Sequence, residues 1–313
     1  MAFFEESNPC DVDFEELLSA LGQHFKNVKA KDLKFTYHGT YNVFGFKKYI
    51  LRVPDKALRN YDGIQLIQDE VAKLKNLANF LSIPIPQPVK ISIDENMPFM
   101  VYEKLPGVPL SSVFRSLKPQ NKKNIAINIA NFLSQLHSPH MLHQVNSKVF
   151  QTNFLTSEYK SFWEKRFEEI QDKVLPLVNN TQKVWIYHLF DEFLENPANF
   201  RFKPTLTHCD FDTTNILVNQ DKGIVTGIVD FEETKAWDPA ADLLFYEDTV
   251  FQQKILESYE FSESVSLRDR MKFLYCRTFA PYITWGKDHE KHTMVKYGLL
   301  KLENLRQAFP YNG

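Results

Sequence analysis

HCDFDTTN, residues 208–215, and the run after it, ILVNQDKGIVTGIVDFEE, residues 216–233, decide the fold of this chain. The first stretch gathers a histidine, two aspartates and an asparagine just after the strand-like Lys203-Pro204-Thr205-Leu206-Thr207. Alone it has two readings: a polar surface turn, where Asp and Asn are ordinary, or a catalytic loop. The second stretch separates them. Ile216–Val218 and Ile224–Val229 are rich in β-branched residues, and the polar turn Asn219-Gln220-Asp221-Lys222-Gly223 lies between them. A hairpin folded about that turn carries Asp230 back beside Asn215, with Asp210 just upstream. Carboxylate and amide oxygens suit a hard cation such as Mg²⁺, which takes few protein ligands when phosphates share its shell. Phosphoryl transfer asks for this arrangement: a carboxylate beside the acceptor hydroxyl, and metal against the phosphate charge. In that reading Asp210 accepts the hydroxyl proton, while Asn215 and Asp230 hold Mg²⁺. His208 reads as a brace for the loop rather than as a proton carrier.

The bulk of the chain sets limits around that segment. Its 313 residues predict about two lobes or domains. At 43% hydrophobic and 24% charged, it has enough apolar material for a sizeable core. Lys+Arg 37 against Asp+Glu 39 leaves a formal net charge of -2, so nothing points to nucleic acid or to an anionic membrane. Cys10, Cys209 and Cys276 have spacings that fit neither a disulfide framework nor a zinc site, and a reducing cytoplasm is their simplest home. The opening MAFFEESNPCDVDFEELL is acidic and lacks the basic and apolar parts of a secretory signal. No apolar run approaches the ~18 residues of a membrane span. The expectation is a cytoplasmic protein, acting as a monomer, with neither a nucleic-acid nor a membrane partner.

The pattern along the chain divides it in two. Residues 11–26 predict a helix with Asp11 as N-cap and an apolar stripe of Phe14, Leu17, Leu18, Leu21 and Phe25. LKFTYHGTYNVFGFKKYILRVP, residues 33–54, predicts successive antiparallel strands. Residues 62–80 return to helical spacing through Ile67, Val71, Leu74 and Ala78. Val89–Ile93, the turn DENMP and Phe99–Glu103 then predict a hairpin. After LPGVPL, residues 105–110, the pattern is mostly helical: 119–137, 158–175, 181–195 and the tail from 266 to 308, with 205–231 as the sheet-like exception. A linker near 104–107 divides the two halves.

HCDFDTTN together with IVDFEE resembles the catalytic and metal-binding segments of aminoglycoside phosphotransferases and related small-molecule kinases. The resemblance extends over most of the chain. FLSQLHS (132–138), WDPAADL (237–243) and WGKD (285–288) are similar to the 2″-O-phosphotransferase branch in particular. It implies an α+β chain with the bilobal protein-kinase-like fold. Residues 1–104 would form a small antiparallel-sheet N-lobe with a helix, and 105–313 a larger, mainly helical C-lobe. ATP or GTP would be the phosphoryl donor. The phosphate-covering turn of such a fold falls at Tyr37–Asn42, with Gly39 and Thr40 at its tip and Gly39 permitting close backbone approach. The strand cation, usually lysine, falls on Arg52, and its helix partner on Glu70. Arginine keeps the charge but is planar and larger, so the exchange is not conservative. The resemblance puts Tyr102 at the gatekeeper position, Glu103 and Leu105 at the hinge, and Leu217 and Val229 beneath the base. A bulky aromatic gatekeeper is similar to the 2″ enzymes, which often use GTP.

The acceptor side is read from the residues after Asp230. Only eleven residues separate it from Asp242, too few for the peptide-docking segment of a protein kinase, so a small molecule is expected. The resemblance implies that Asp242 braces the catalytic loop. A polycationic acceptor would need clustered carboxylates. Asp212, Glu232, Glu233, Glu247, Asp248, Asp288 and Glu290 are the candidates, and Trp285 could pack on a sugar ring. Phe162, Trp163 and Trp185 read as core. The expected activity is transfer of the γ-phosphate of ATP or GTP to a hydroxyl of an aminoglycoside. A kinase of choline, homoserine or a sugar is the alternative, and Arg52 also raises a nucleotide-binding module without turnover.

Overall fold

The computed structural model describes residues 12–56, 61–145, 147–150 and 156–311. Asp11 lies outside them, and Asp13 is the N-cap of α1 (Phe14–Gly22), accepting the N–H groups of Glu15 and Glu16 at 2.9 and 3.0 Å. The helix stops short of residue 26, so Phe25 packs from beyond its end, edge-on to Phe46.

Five antiparallel strands come next, in spatial order β1-β2-β3-β5-β4. They are β1 (Lys34–His38), β2 (Tyr41–Phe46), β3 (Tyr49–Pro54), β4 (Pro88–Ser92) and β5 (Phe99–Glu103), with α2 (Tyr61–Leu77) between β3 and β4. Strand alternation divides the sheet between two cores. On β5, Phe99 and Val101 pack with Phe44, Leu51, Leu17 and Leu21 on the α1 side. Met100 and Tyr102 face the other way, toward Ile67, Val71 and Leu74 of α2. Each fully buried leucine or phenylalanine contributes about 1.5–3 kcal/mol, so both faces of this small sheet are covered.

The remainder is mainly helical. It runs β6 (Val108–Pro109), α3 (Leu110–Val113), α4 (Pro119–Leu136), α5 (Pro139–Gln144), α6 (Ser147–Phe150), α7 (Thr156–Lys173) and α8 (Asn180–Glu195). Then come β7 (Thr205–Thr207), β8 (Ile216–Asn219), β9 (Ile224–Ile228) and β10 (Lys235–Trp237). Helices α9 (Thr249–Ser258), α10 (Leu267–Cys276), α11 (Ala280–Asp288) and α12 (His292–Ala308) close the chain. Pro119 starts α4 at its first turn, where its missing N–H costs nothing. The hairpin expected over 216–229 is β8–β9, and two small strands enlarge the sheet regions: β6 joins β8, and β10 joins β7. Phe162, Trp163 and Trp185 lie in the packed aromatic core between α7, α8 and α10, Trp163 meeting Phe273 edge-on at 5.0 Å. No helix among the described residues is long and apolar enough to cross a membrane.

Candidate active site

The loop between β7 and β8 is held from below by one buried carboxylate. Asp242 accepts the backbone N–H of His208 at 2.7 Å and of Cys209 at 2.9 Å. His137 meets the same carboxylate at 3.0 Å and Tyr259 at 2.7 Å, and both Asp242 and His137 are fully buried. Cys209 adopts φ 68°, a left-handed conformation uncommon for a residue other than glycine, at the point where the loop turns away from Asp242. His208 pairs through Nε2 with the Val229 carbonyl at 3.1 Å, tying the loop to the end of β9.

The β8–β9 hairpin returns the chain as its alternation requires. Val229 donates its N–H to the Asn215 carbonyl at 3.0 Å, and Asp230 comes directly after it with φ 71°. Asn215 Nδ2 donates to the Asp210 carbonyl at 2.9 Å and to Asp210 Oδ2 at 3.1 Å. Asp210, Asn215 and Asp230 therefore share one end of the hairpin. Asp210 opens toward solvent, but the surrounding protein is close enough to raise its pKa. Desolvation acts first, then the charges of Asp230 and Asp212. Asp212 caps its own loop, accepting Thr214 N at 2.8 Å and the Thr214 hydroxyl at 3.1 Å.

Across the cleft, β3 and α2 present a charge cluster. Arg52 donates to Glu70 at 2.5 Å, to Asp230 at 3.0 Å and to Glu232 at 3.2 Å, with its guanidinium 4.0 Å from the Tyr41 ring centroid. The sequence places Glu232 only among the acceptor-side carboxylates. It also accepts the Thr40 hydroxyl at 3.2 Å, and its carbonyl accepts Lys73 Nζ. The tip of the Gly39–Thr40 turn is thereby clasped to the segment after Asp230. Gly39 lies against the Tyr37 ring, where a Cβ would come within 2.8 Å of Cζ. One guanidinium faces three carboxylates, so the cluster has a negative excess. Burial pushes Glu70 up to about 7, Arg52 opposing and Asp230 adding. Burial likewise takes Glu232 to about 8, again against Arg52 and with Asp230.

The other expected residues separate into two groups. Tyr102 is buried on β5 beside β3, opposite Ile50. Leu217 lies opposite Gly227 in the hairpin, and Leu105 packs on Gly227, where a Cβ would approach its side chain to 2.7 Å. The Glu103 side chain pairs with Lys48 at 2.5 Å, and the next N–H, of Lys104, bonds the Lys48 carbonyl at 2.8 Å. Glu233 is exposed beside Lys235 at 3.5 Å. Glu247 accepts the Tyr275 hydroxyl at 3.2 Å. Three candidates on the acceptor side already have partners within the chain. Asp248 is the N-cap of α9, accepting Phe251 N at 2.9 Å, and its other oxygen pairs with Lys122 at 3.0 Å. Asp288 pairs with Lys173 at 2.6 Å. Trp285 stacks on His289 at 4.1 Å near the end of α11. The sequence reading missed Tyr282 of α11 and Tyr297 and Lys301 of α12. Desolvation dominates their shifted ionisation, but the field of Asp212 reaches all three and that of Asp210 reaches Tyr282. Their only sequence signal is the i, i+4 step from Tyr297 to Lys301, which any helix face shares.

An antiparallel sheet closed over a helical body, with a carboxylate loop and a returning hairpin in the cleft, is the build of kinase-like small-molecule phosphotransferases, enzymes whose acceptor is a hydroxyl. The model of the phosphotransferase enzyme family matches residues 31–274, and the chain belongs to that family. Among solved structures, the GDP and kanamycin complex of APH(2″)-IIIa has a TM-score of 0.80, at 19% identity over 94% of this chain and 99% of that one. The apoenzyme of macrolide 2′-phosphotransferase MphH from Brachybacterium faecium gives 0.69, at 15% identity over 92% and 98%. Acyl-CoA dehydrogenase family member 10 of Mus musculus is 24% identical over 250 residues, which are 76% of this chain. The match spans 22% of that mouse protein's length.

Proposed function

We propose that this phosphotransferase moves the γ-phosphate of ATP or GTP to a hydroxyl of a small molecule, with Asp210 as the catalytic residue. The return of Asp230 beside Asn215 and Asp210 carries this reading. The acceptor oxygen forms the new P–O bond while its proton passes to Asp210. The bond from the γ-phosphorus to the bridging oxygen breaks, and the nucleoside diphosphate leaves with the electron pair. Gly39 and Thr40 cover the phosphates. Tyr102, the backbone of Glu103 and Leu105, Leu217 and Val229 surround the base, and the lobes meet at 104–107.

Among the described residues no three His, Cys, Asp or Glu side chains form a preformed metal cage. That fits an ion that nucleotide phosphates help to hold. Asp230 meets Arg52 through Oδ1, leaving Oδ2 for a cation, and Asn215 donates through Nδ2, leaving its Oδ1. Mg²⁺ held there would neutralise phosphate charge. Arg52 and Glu70 orient the phosphates from the opposite wall.

The aminoglycoside reading is supported by likeness to the kanamycin complex. The alcohol reading is favoured by the pairing of Asp248 and Asp288 with lysines, which leaves fewer carboxylates for a polycation. In the test, the purified chain receives Mg²⁺ and ATP or GTP with kanamycin, choline, homoserine or sugars. Asp210→Ala should lower transfer by about 10²–10⁴-fold, the usual worth of a positioned general base, with nucleotide affinity retained. Near-full activity in that variant would remove Asp210 from its role. Nucleotide binding without turnover in the wild type would favour a binding module closed by Arg52.

A further inference from the structure

A cavity of about 750 Å³ lies between α9, α10 and α12. Its charged lining is two cations, Arg268 and Lys301, against one carboxylate, Glu247. Aromatic walls come from Tyr275, Tyr297 and Phe309. Its α12 wall lies within the electric field of the 208–215 loop, where Asp212 acts on both Tyr297 and Lys301. Tyr297 packs edge-on against Tyr282 at 4.8 Å, and Tyr282 feels the charges of both Asp212 and Asp210. Lys301 Nζ lies 5.3 Å from the Tyr282 ring centroid, and the side chain forms no salt bridge among the described residues. Burial lowers its pKa although Glu247 and Asp212 both act to raise it.

We infer that this cavity holds the body of the acceptor, and that the acceptor is a hydroxylated molecule bearing an anionic group that pairs with Lys301. The inference rests on the phosphotransferase reading and names its substrate class. A half-buried ammonium without a salt-bridge partner is costly, and an anionic ligand supplies the missing partner. A polycation in the same place would set its ammonium groups against Lys301 and Arg268, and like charges in contact select against a ligand. The aromatic walls suit an apolar portion of the acceptor.

Three probes test this on the nucleotide-loaded full chain by isothermal titration: 4-nitrophenyl β-D-glucuronide, its neutral glucoside counterpart, and kanamycin. The glucuronide should bind about tenfold tighter than the glucoside, as one desolvated charge pair allows. Kanamycin should bind weakest. Lys301→Met should bring the two sugars to parity with nucleotide affinity unchanged, Lys301→Arg should keep the preference, and Lys301→Glu should favour kanamycin. Kanamycin binding tighter than the glucuronide in the wild type, a preference that survives Lys301→Met, or no binding of any probe would overturn the assignment. The readout is independent of turnover. The charge preference without phosphoryl transfer would keep the anion-binding site at Lys301 and remove the kinase reading, and with it the role of the bound molecule as acceptor. Transfer to kanamycin as the tightest ligand would do the reverse.

Discussion

At the scale of single residues, the site is a balance of buried charge. Arg52 reaches Glu70 from one terminal nitrogen and both Asp230 and Glu232 from the other, a span that the planar fork of a guanidinium permits and the single nitrogen of a lysine lacks. Arg52→Lys should therefore release Asp230 from its ion pair and support transfer at least as well as the wild type; a large loss in a steady-state assay would show that the site has adapted to arginine. The same cluster sets a pH dependence. Folded Glu70 and Glu232 keep their protons to about 7 and about 8, against an ordinary value of 4.5. Between those values the folded chain binds more protons than the unfolded one, so this contribution to stability is complete below 4.5 and is lost as the pH rises through about 8. Thermal melts of the nucleotide-free protein across that window should show a falling Tm, with a shallower fall in Glu232→Gln. Equal slopes for the two proteins would contradict the assignment to Glu232.

At the scale of elements, the strands and helices were largely legible, because their apolar periods are strong. The helices over 119–137, 158–175 and 181–195 are α4, α7 and α8 within two residues at either end. The two-residue β6 and three-residue β10 carry no readable period, since each exists only by pairing with a strand distant in sequence. The juxtaposition of Asp210, Asn215 and Asp230 was legible because these residues flank one hairpin. The proposed acceptor wall was not, because Tyr282, Tyr297 and Lys301 come into the field of Asp212 through the packing of α11 on α12, and Asp248 had a capping role that its acidic neighbours disguised. The linker offers an element-scale test. Gly107 has φ 107°, and a Cβ there would lie 2.8 Å from the Val218 carbonyl oxygen. Gly107→Ala should cost about 1–3 kcal/mol through backbone strain and close approach, read as a lower urea midpoint with an unchanged m-value. An unchanged midpoint would show that the β6–β8 pairing tolerates displacement.

At the scale of the whole molecule, the cleft is where the two parts of the chain meet. The sheet supplies Thr40, Arg52 and Tyr102, α2 supplies Glu70, and the helical part supplies Asp210, Asn215 and Asp230. Bonds from Arg52 to Asp230 and from Thr40 to Glu232 join these parts. In the proposed reading, nucleotide phosphates and Mg²⁺ bind among these residues. Whether they convert the cluster into a working site is the central question, and acceptor-dependent turnover answers it most directly. Purified protein with Mg²⁺ and ATP or GTP should release nucleoside diphosphate faster when a hydroxylated acceptor is present. The acceptor should gain one phosphoryl group by mass, and both signals should disappear with Asp210→Ala or with chelation of the metal. Nucleotide bound at a saturable site, with no diphosphate released above the Asp210→Ala background for any acceptor, would contradict the kinase and leave a nucleotide-binding module.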